Sequence, residues 1–215
     1  MKNQITIKKL IKPFRKEIFV SSDKSISIRC VLLSSIGLGK SKIFNILESE
    51  DVINTLKAVE KFGVKYLKKK KYIEIYGVGI NGFNIKKNTI LDAGNSGTLA
   101  RCILGLCSAI NTKVKLVGDE SLSKRDFNRV IVPLKSFGVN IKSKKGMLPI
   151  EFTGSTLLKP IKYFENKGSA QCKSSVMLAG MRTEGTTTII AKKSRNHTEI
   201  FCKYLNLPLK VKTKN

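Results

Sequence analysis

The sequence predicts an α/β (α+β) fold made of repeated βαβαββ-type units, with helices inside and mixed sheets outside. Three observations lead to this prediction. Similar segments recur along the 215 residues, and helical and strand-like patterns alternate within each of them. The first helix of each segment is apolar on nearly every face, which is typical of a helix buried inside a domain.

The first two repeats match element by element. Each repeat has an apolar helix that contains an Arg-Cys pair, Arg29-Cys30 in the first repeat and Arg101-Cys102 in the second. Each later reaches a Phe-Gly-Val segment and then a strand hairpin that ends at a glycine. A third copy starts at Ser174, and the sequence ends before the corresponding closing strand. We therefore expect a fragment of a longer protein, with an incomplete third unit.

Each unit is predicted to contain a buried helix, a strand, an amphipathic helix and a hairpin. Buried helices are predicted over residues 26–36 and 99–110, because these stretches are apolar throughout. Amphipathic helices are predicted over 51–62 and 127–137, where apolar residues recur at helical spacing. Glycines follow both amphipathic helices as stop signals.

Composition excludes some classes of protein. With 41% apolar residues the chain can form a core, yet no apolar run is long enough to span a membrane. The five cysteines show no CxxC spacing, and buried, reduced thiols in a cytosolic protein are the favoured interpretation. No signal-peptide pattern is present. We expect a cytoplasmic protein with no membrane association.

The net charge of +26 would ordinarily indicate a nucleic-acid partner. Only seven of the 41 cationic residues are arginine, and aromatic residues make up only 7% of the chain. Nucleic-acid-binding surfaces usually combine basic with aromatic side chains. The run 68–71 fits a solvated hairpin loop, and a small anionic substrate explains a basic face equally well. We therefore expect no nucleic-acid partner.

Four polar clusters lie at predicted helix starts, over residues 21–29, 92–101, 167–174 and 194–199. Two interpretations are open for each cluster. Ser, Thr, Asp and Asn are ordinary N-cap residues. Helix N-termini also bind anions, because their free N–H groups and positive dipole end face the ligand.

The distribution of arginine favours the anion-binding interpretation. Four of the seven arginines lie in or beside these clusters: Arg29, Arg101, Arg125 and Arg195. Arginine offers a planar donor fork that matches carboxylate and phosphate groups. Because the chain has 15 acidic residues for 41 cationic ones, salt-bridge partners are scarce. The pattern indicates a ligand with more than one anionic group.

Other catalytic motifs are lacking. His197 has no Ser or Cys nucleophile pattern around it and is interpreted as a helix-start residue. The glycine-rich run 77–82 follows a hairpin and precedes no helix, so it is not a dinucleotide-binding motif. We expect neither a metal nor a cofactor.

Five motifs in order resemble those of the 5-enolpyruvylshikimate-3-phosphate (EPSP) synthase family, also called 3-phosphoshikimate 1-carboxyvinyltransferases. They are DKSISIR at 23–29, GNSGTLAR at 94–101, GDESLSKR at 118–125, SAQCKS at 169–174 and SRNHTE at 194–199. The sister family, UDP-N-acetylglucosamine enolpyruvyltransferase, has a different first motif. The resemblance covers nearly the whole chain.

The resemblance implies an enzyme of two similar domains, each of three repeated units with helices inside. The full enzyme would be about twice as long, and a monomer. Residues 1–20 would belong to the other domain, residues 21–215 would form the three-repeat substrate-binding domain, and the C-terminal domain would be absent.

The implied reaction transfers the enolpyruvyl group of phosphoenolpyruvate to the 5-hydroxyl of shikimate 3-phosphate, in the shikimate pathway to chorismate and aromatic amino acids. Lys24 would be catalytic and contact both substrates. Shikimate 3-phosphate would also be bound by Ser25, Arg29, Ser169, Ala170, Gln171 and Arg195. Phosphoenolpyruvate would be bound by Lys24, Asn95, Gly97, Arg125 and Gln171, with Thr98 and Arg101 in support. The family's acid–base carboxylates would lie in the absent half, so the chain alone is predicted to have little activity.

The sequence departs from the family pattern at three places. Ser21-Ser22 replaces the usual Pro-Gly, Ile28 replaces a His or Asn, and Asp126 replaces a Pro. An acid at 126 could pair with Arg125 and weaken it. A non-catalytic anion-binding remnant, and a basic nucleic-acid-binding protein, are the alternatives to the enzyme.

Overall fold

The computed structural model describes residues 6, 8–10 and 12–212, and the predicted repeats form three units in it. The first unit, residues 24–78, contains two helices and one three-stranded sheet. Its elements are α1 (Lys24–Ile36), β1 (Leu38–Phe44), α2 (Glu50–Glu60), β2 (Lys65–Lys68) and β3 (Tyr72–Val78). The strand order is β1-β3-β2, and both pairs are antiparallel.

The second unit, residues 89–153, adds a strand before its buried helix and a short helix in the middle. Its elements are β4 (Thr89–Asp92), α3 (Gly97–Leu106), β5 (Lys113–Val117), α4 (Glu120–Ser123), α5 (Asn128–Phe137), β6 (Asn140–Lys144) and β7 (Met147–Thr153). The strand order is β4-β5-β7-β6, with β4 parallel to β5 and the other pairs antiparallel. This sheet is therefore mixed.

The third unit, residues 162–204, repeats only the beginning of this pattern. Its elements are β8 (Lys162–Glu165), α6 (Ala170–Gly180), β9 (Thr188–Ala191) and α7 (His197–Tyr204). The strands β8 and β9 pair in parallel, as β4 and β5 do. Described residues 205–212 form no strand.

The buried helices α1, α3 and α6 lie inside, and the sheets cover them. Every residue of α3 except Arg101 is buried. Helix α3 packs closely against α6, because a Cβ atom built on Gly105 would lie 2.0 Å from the Ser175 carbonyl oxygen. Only glycine allows the two backbones to approach this closely. The predicted α/β class with helices inside and mixed sheets outside is confirmed.

Helix boundaries differ modestly from those predicted. The helix predicted over 99–110 runs instead from Gly97 to Leu106, since the chain turns at Cys107. The stops at Gly63 and Gly138 are confirmed, with φ angles of 85° and 106°. The run 68–71 forms the end of β2 and an exposed turn, as predicted.

The cysteines are free thiols, as predicted. All five cysteines are unpaired, and all but Cys30 are buried. Burial raises the pKa of Cys30 and of Cys202 to about 11 each. Among the described residues, no helix is long and apolar enough to cross a membrane.

Candidate anion-binding site

The predicted polar clusters lie at the N-terminal ends of α1, α3, α6 and α7. Capping side chains are present at three of these ends. Asp23 Oδ1 accepts the Ile26 N–H at 2.7 Å, and the hydroxyls of Ser96 and Ser169 accept the N–H groups three residues on at 3.2 Å each. The capping interpretation is therefore confirmed there, and it leaves other first-turn N–H groups of each helix free.

The charges at the ends of the three buried helices differ from those at the start of the amphipathic helix α2. No acidic residue lies in the first turn of α1, α3 or α6. By contrast, α2 begins with Glu50 and Asp51. Acidic side chains in a first turn neutralise the positive end of a helix. Asp23 at the N-cap of α1 and Glu165 beside that of α6 each take one N–H group, and the first-turn N–H groups left free suit an anionic ligand.

Arg101 joins the second cluster to the third and to the segment that follows α4. Its Nη1 donates to the Gly97 carbonyl at 3.3 Å and to Gln171 Oε1 at 2.9 Å. Its Nη2 donates to the Asp126 carbonyl at 3.2 Å. The guanidinium carbon lies 4.8 Å from the centroid of the Phe127 ring, so the ring supports the arginine from one side.

The Gln171 amide is held at both of its polar atoms. Besides accepting from Arg101, it donates from Nε2 to Thr98 Oγ1 at 2.9 Å. Thr98 and Arg101, predicted as supporting residues, thus both contact a predicted ligand residue. The helix starts of α3 and α6 are tied together at this point.

A second chain of contacts holds Arg125. Asn95 Nδ2 donates to Asp119 Oδ2 at 2.6 Å, and Asn95 Oδ1 faces Arg125 Nη2 at 3.4 Å. The hydrogen bond from Asn95 is the largest cause that lowers the pKa of Asp119. Because Asp119 stays ionised and accepts from the amide nitrogen, the amide oxygen is left to face the arginine. Arg125 is itself exposed.

Positive charge is crowded around Arg101. Burial is the first cause that lowers the pKa of Arg101; Cys172 partly offsets it, and the neighbouring Arg125 and Arg129 lower the pKa further. An arginine remains charged in spite of such effects. Arg129 is paired with Glu165, whereas Arg101 makes no ion pair within the described residues, so a bound anion would add the negative charge that Arg101 lacks.

Arg29 ties α1 to α6 and α7. It is 4% exposed, and it donates from Nε to Thr198 Oγ1 at 2.8 Å and from Nη2 to Ser174 Oγ at 2.9 Å. Its Nη1 donates to the Ser25 carbonyl at 2.9 Å. A guanidinium has five N–H groups, so two of those on Arg29 have no partner among the described residues. Its main bonds are structural, and a ligand can reach it only through these two groups.

Lys24, the predicted catalytic residue, is the first residue of α1 and is half-exposed. Its Nζ lies 2.8 Å from Asp51 Oδ2 on α2, and the Asp51 side chain is only 13% exposed. Asp51 lies in the first turn of α2, where a carboxylate also suits the helix dipole. The structure adds that this carboxylate holds the lysine in place.

A buried ion pair joins Lys173 on α6 to Glu199 on α7, with the two side chains 11% and 15% exposed. His197 begins α7, as predicted. Burial is the first cause that lowers its pKa, and Arg29 and Arg195 act in the same direction. Its Nδ1 is buried without a partner among the described residues.

The remaining predicted residues lie at the same helix ends. Ser25 and Ala170 are half-buried in the first turns of α1 and α6, and Arg195 is exposed just before α7. Arg195 makes no ion pair or side-chain hydrogen bond within the described part of the chain. The structure thus brings most of the predicted site residues to the first two turns of four helices, and Arg125 lies in the segment between α4 and α5.

Two of the sequence departures have a clear structural outcome. Ile28 is fully buried in the core, where an apolar side chain fits. The possible ion pair of Asp126 with Arg125 is not formed. Asp126 Oδ1 instead accepts the Asn128 N–H at 2.8 Å at the start of α5.

The chain matches the family model described as EPSP synthase (3-phosphoshikimate 1-carboxyvinyltransferase) over residues 8–215. It is 42% identical over 183 residues to the 3-phosphoshikimate 1-carboxyvinyltransferase of Streptococcus mutans, covering 84% of this chain and 43% of that protein. It is 44% identical over 194 residues to the protein of the same name from Vesicomyosocius okutanii, covering 88% and 44%.

A similar solved structure is the EPSP synthase of Acinetobacter baumannii. It superposes with a TM-score of 0.83 at 36% sequence identity, covering 92% of this chain and 44% of that one. The chain therefore spans less than half the length of the relatives it matches.

Proposed function

Because the chain belongs to the EPSP synthase family, we propose that it supplies the shikimate 3-phosphate-binding half of an enolpyruvyl transferase. The proposed reaction breaks the bond between the enolpyruvyl carbon of phosphoenolpyruvate and its phosphate oxygen. A new bond forms from that carbon to the 5-hydroxyl oxygen of shikimate 3-phosphate, the hydroxyl loses its proton, and phosphate leaves with one proton more. The product would serve chorismate and aromatic amino acid biosynthesis.

The observation that carries the proposal is the convergence of helix N-termini and arginines in one place. The ends of α1, α3 and α6 lack first-turn acids, and Arg29, Arg101 and Gln171 tie them to one another. Both proposed substrates carry a phosphate and a carboxylate. Fixed donors that need no reorganisation suit such polyanions and the charge that develops during reaction.

For shikimate 3-phosphate we assign residues at the ends of α1, α6 and α7. The Ser169 hydroxyl, whose oxygen already accepts from Cys172, keeps its hydrogen free for a phosphate oxygen. The N–H groups of Ala170 and Gln171 lie in the same first turn. Ser25, Arg29 and Arg195 complete the proposed set.

For phosphoenolpyruvate we assign the ends of α1 and α3. Lys24, Asn95, Gly97, Arg125 and Gln171 are the proposed contacts. A Cβ atom on Gly97 would lie 3.1 Å from Arg125 Nη1, so the glycine and the arginine border the same space. Lys24, held by Asp51, is proposed to stabilise charge between the two substrates.

We also propose that the segment 1–20 belongs to a second domain and that 21–215 form the substrate-binding domain. Described residues 12–20 form no helix or strand. Phe14, Ile18, Phe19 and Val20 are 77%, 77%, 96% and 81% exposed. Large apolar side chains grouped on an exposed segment usually contact another surface. In the intact, cytoplasmic and monomeric enzyme, that surface would be the C-terminal domain.

A reconstitution assay tests the catalytic part of the proposal. The chain is mixed with the separately expressed C-terminal part of the Acinetobacter baumannii relative, and phosphate release is measured with both substrates. We expect turnover from the mixture and almost none from either part, and Lys24→Met should abolish it. A mixture that forms a complex yet releases no phosphate would argue against the enzyme assignment.

A non-catalytic anion-binding module is the second candidate. The same geometry favours it, because none of the contacts described above requires chemistry. Binding of shikimate 3-phosphate by this chain without turnover in a proven complex would support it.

A further inference from the structure

Glu165 lies at the end of β8, four residues before the N-cap Ser169, and belongs to none of the five motifs. Its side chain is 2% exposed. A buried carboxylate is costly unless hydrogen bonds and an opposite charge compensate for it. Its partners therefore indicate what it stabilises.

The carboxylate gathers donors from the turn that leads into α6. Oε2 accepts the Ser169 N–H at 2.7 Å, and Oε1 accepts the Lys167 N–H at 3.4 Å. Oε1 also accepts from Nη2 of Arg129 on α5. Burial raises the pKa of Glu165, but the bonds from Ser169 and Arg129 outweigh it and hold that pKa below its usual value.

These bonds leave Ser169 fixed at two atoms. Its N–H is taken by Glu165, and its hydroxyl oxygen accepts the Cys172 N–H. Only the hydroxyl hydrogen has no acceptor among the described residues, and Ser169 lies at the helix end assigned to shikimate 3-phosphate. A serine held in this way donates to an anion without reordering its backbone.

Negative charge this close to an anion site would weaken binding unless it is neutralised. Arg129 provides the neutralising charge, and it does so from the second unit. We propose that Glu165, paired with Arg129, is a positioning residue that fixes the Ser169–Gln171 segment for an anionic ligand. The identity of that ligand rests on the function proposed above, whereas the positioning does not.

The test compares Glu165→Gln with Glu151→Gln, a control whose more exposed carboxylate pairs with Lys113. The glutamine side chain keeps the shape but turns an N–H group toward one of the donors. We expect the Ser169 amide to exchange its hydrogen about tenfold faster by nuclear magnetic resonance, with the amides of α3 unchanged. The affinity for shikimate 3-phosphate should fall about tenfold, and Glu151→Gln should change neither quantity.

The Arg129→Gln variant distinguishes the positioning of Ser169 from the neutralisation of the Glu165 charge. It should leave the Ser169 amide protected, yet weaken shikimate 3-phosphate binding, because the Glu165 charge is then uncompensated. In the double variant the loss of affinity should be smaller than the sum of the two single losses.

Two results would overturn the proposal. One is unchanged exchange of the Ser169 amide in Glu165→Gln. The other is a lowered melting temperature with unchanged affinity in both single variants, which is the result of a purely structural pair. If the unaltered chain binds no shikimate 3-phosphate while Glu165→Gln still accelerates Ser169 exchange, the positioning holds and the proposed ligand is wrong.

Discussion

Arg101 Nη1 and Gln171 Oε1 are 2.9 Å apart, although the two residues are separated by 70 positions in the chain. This bond joins the second and third repeats at the point where their buried helices begin. Arg101 Nη1 also donates a hydrogen bond to the Gly97 carbonyl oxygen. One guanidinium therefore sets the relative position of two helix ends.

Replacing Arg101 tests this role. Lysine keeps the charge but cannot bond Gly97, Gln171 and Asp126 with one planar group. We expect Arg101→Lys to weaken shikimate 3-phosphate binding about tenfold in calorimetric titration. Arg182→Lys is the matched control, because Arg182 is half-buried and donates to the Ile80 carbonyl away from the site. Equal losses in the two variants would contradict a specific role for Arg101.

A methyl group at Gly97 is predicted to disturb both neighbouring arginines. The new Cβ atom would lie 2.9 Å from Arg101 Nη1 and 3.1 Å from Arg125 Nη1. Because both contacts are to flexible side-chain ends, we expect Gly97→Ala to fold and to displace the arginines. Phosphoenolpyruvate binding, measured with shikimate 3-phosphate present, should fall more than shikimate 3-phosphate binding does.

Gly37→Ala is the control for this substitution. A Cβ atom added at Gly37 would lie 3.4 Å from its nearest neighbour, the Ser34 carbonyl oxygen, which is an ordinary van der Waals distance. If Gly97→Ala bound phosphoenolpyruvate as tightly as Gly37→Ala, the proposed phosphoenolpyruvate site would be misplaced.

The Lys173–Glu199 pair is predicted to matter for stability. Lys173→Met would leave a buried, unpaired carboxylate, which costs about 3–5 kcal/mol in the free energy of unfolding. Lys124→Met, which removes an exposed pair with Glu120, should cost at most about 1 kcal/mol. Denaturant unfolding measures both. Adding Glu199→Leu to Lys173→Met should restore part of the lost free energy of unfolding. If it restores none, the unpaired Glu199 carboxylate is not the cause of the destabilisation.

His197 is predicted to make stability depend on pH. Its pKa is lowered from 6.5, first by burial and then by Arg29 and Arg195, so the folded chain binds its proton less readily than the unfolded chain. Stability should therefore fall as the pH drops below 6.5 toward the folded pKa. His197→Gln should remove this part of the dependence, and the chain has no other histidine to obscure it. Unfolding curves at several pH values that change identically in both proteins would refute the prediction.

The fold was predictable because periodicity reports burial directly. The helix around Cys102 is predicted by its continuous apolar run, and the amphipathic helix before Gly138 by the spacing of its apolar residues. The end of α3 was not, because apolar residues continue beyond Leu106 through the turn. Strands β4 and β8 were not located, because four residues show too few alternations and neither strand belongs to a predicted hairpin, as the equally short β2 does.

The site was predictable only as far as its motifs extend. Arg29 and Arg125 were singled out by residue type and position, and Gln171 by its motif alone. Asp51 and Glu165 were not, because each acts through a contact with a distant part of the chain. An acid paired across two elements has no local pattern, so only the folded structure reveals it.

Calorimetric titration of the chain with shikimate 3-phosphate tests the central claim most directly. Arg195→Gln is compared with Lys193→Gln, since both residues are exposed and lie just before α7. The account predicts binding at a single site that weakens in Arg195→Gln and is unchanged in Lys193→Gln. A folded chain that binds no shikimate 3-phosphate, or binds it equally in both variants, would contradict the account.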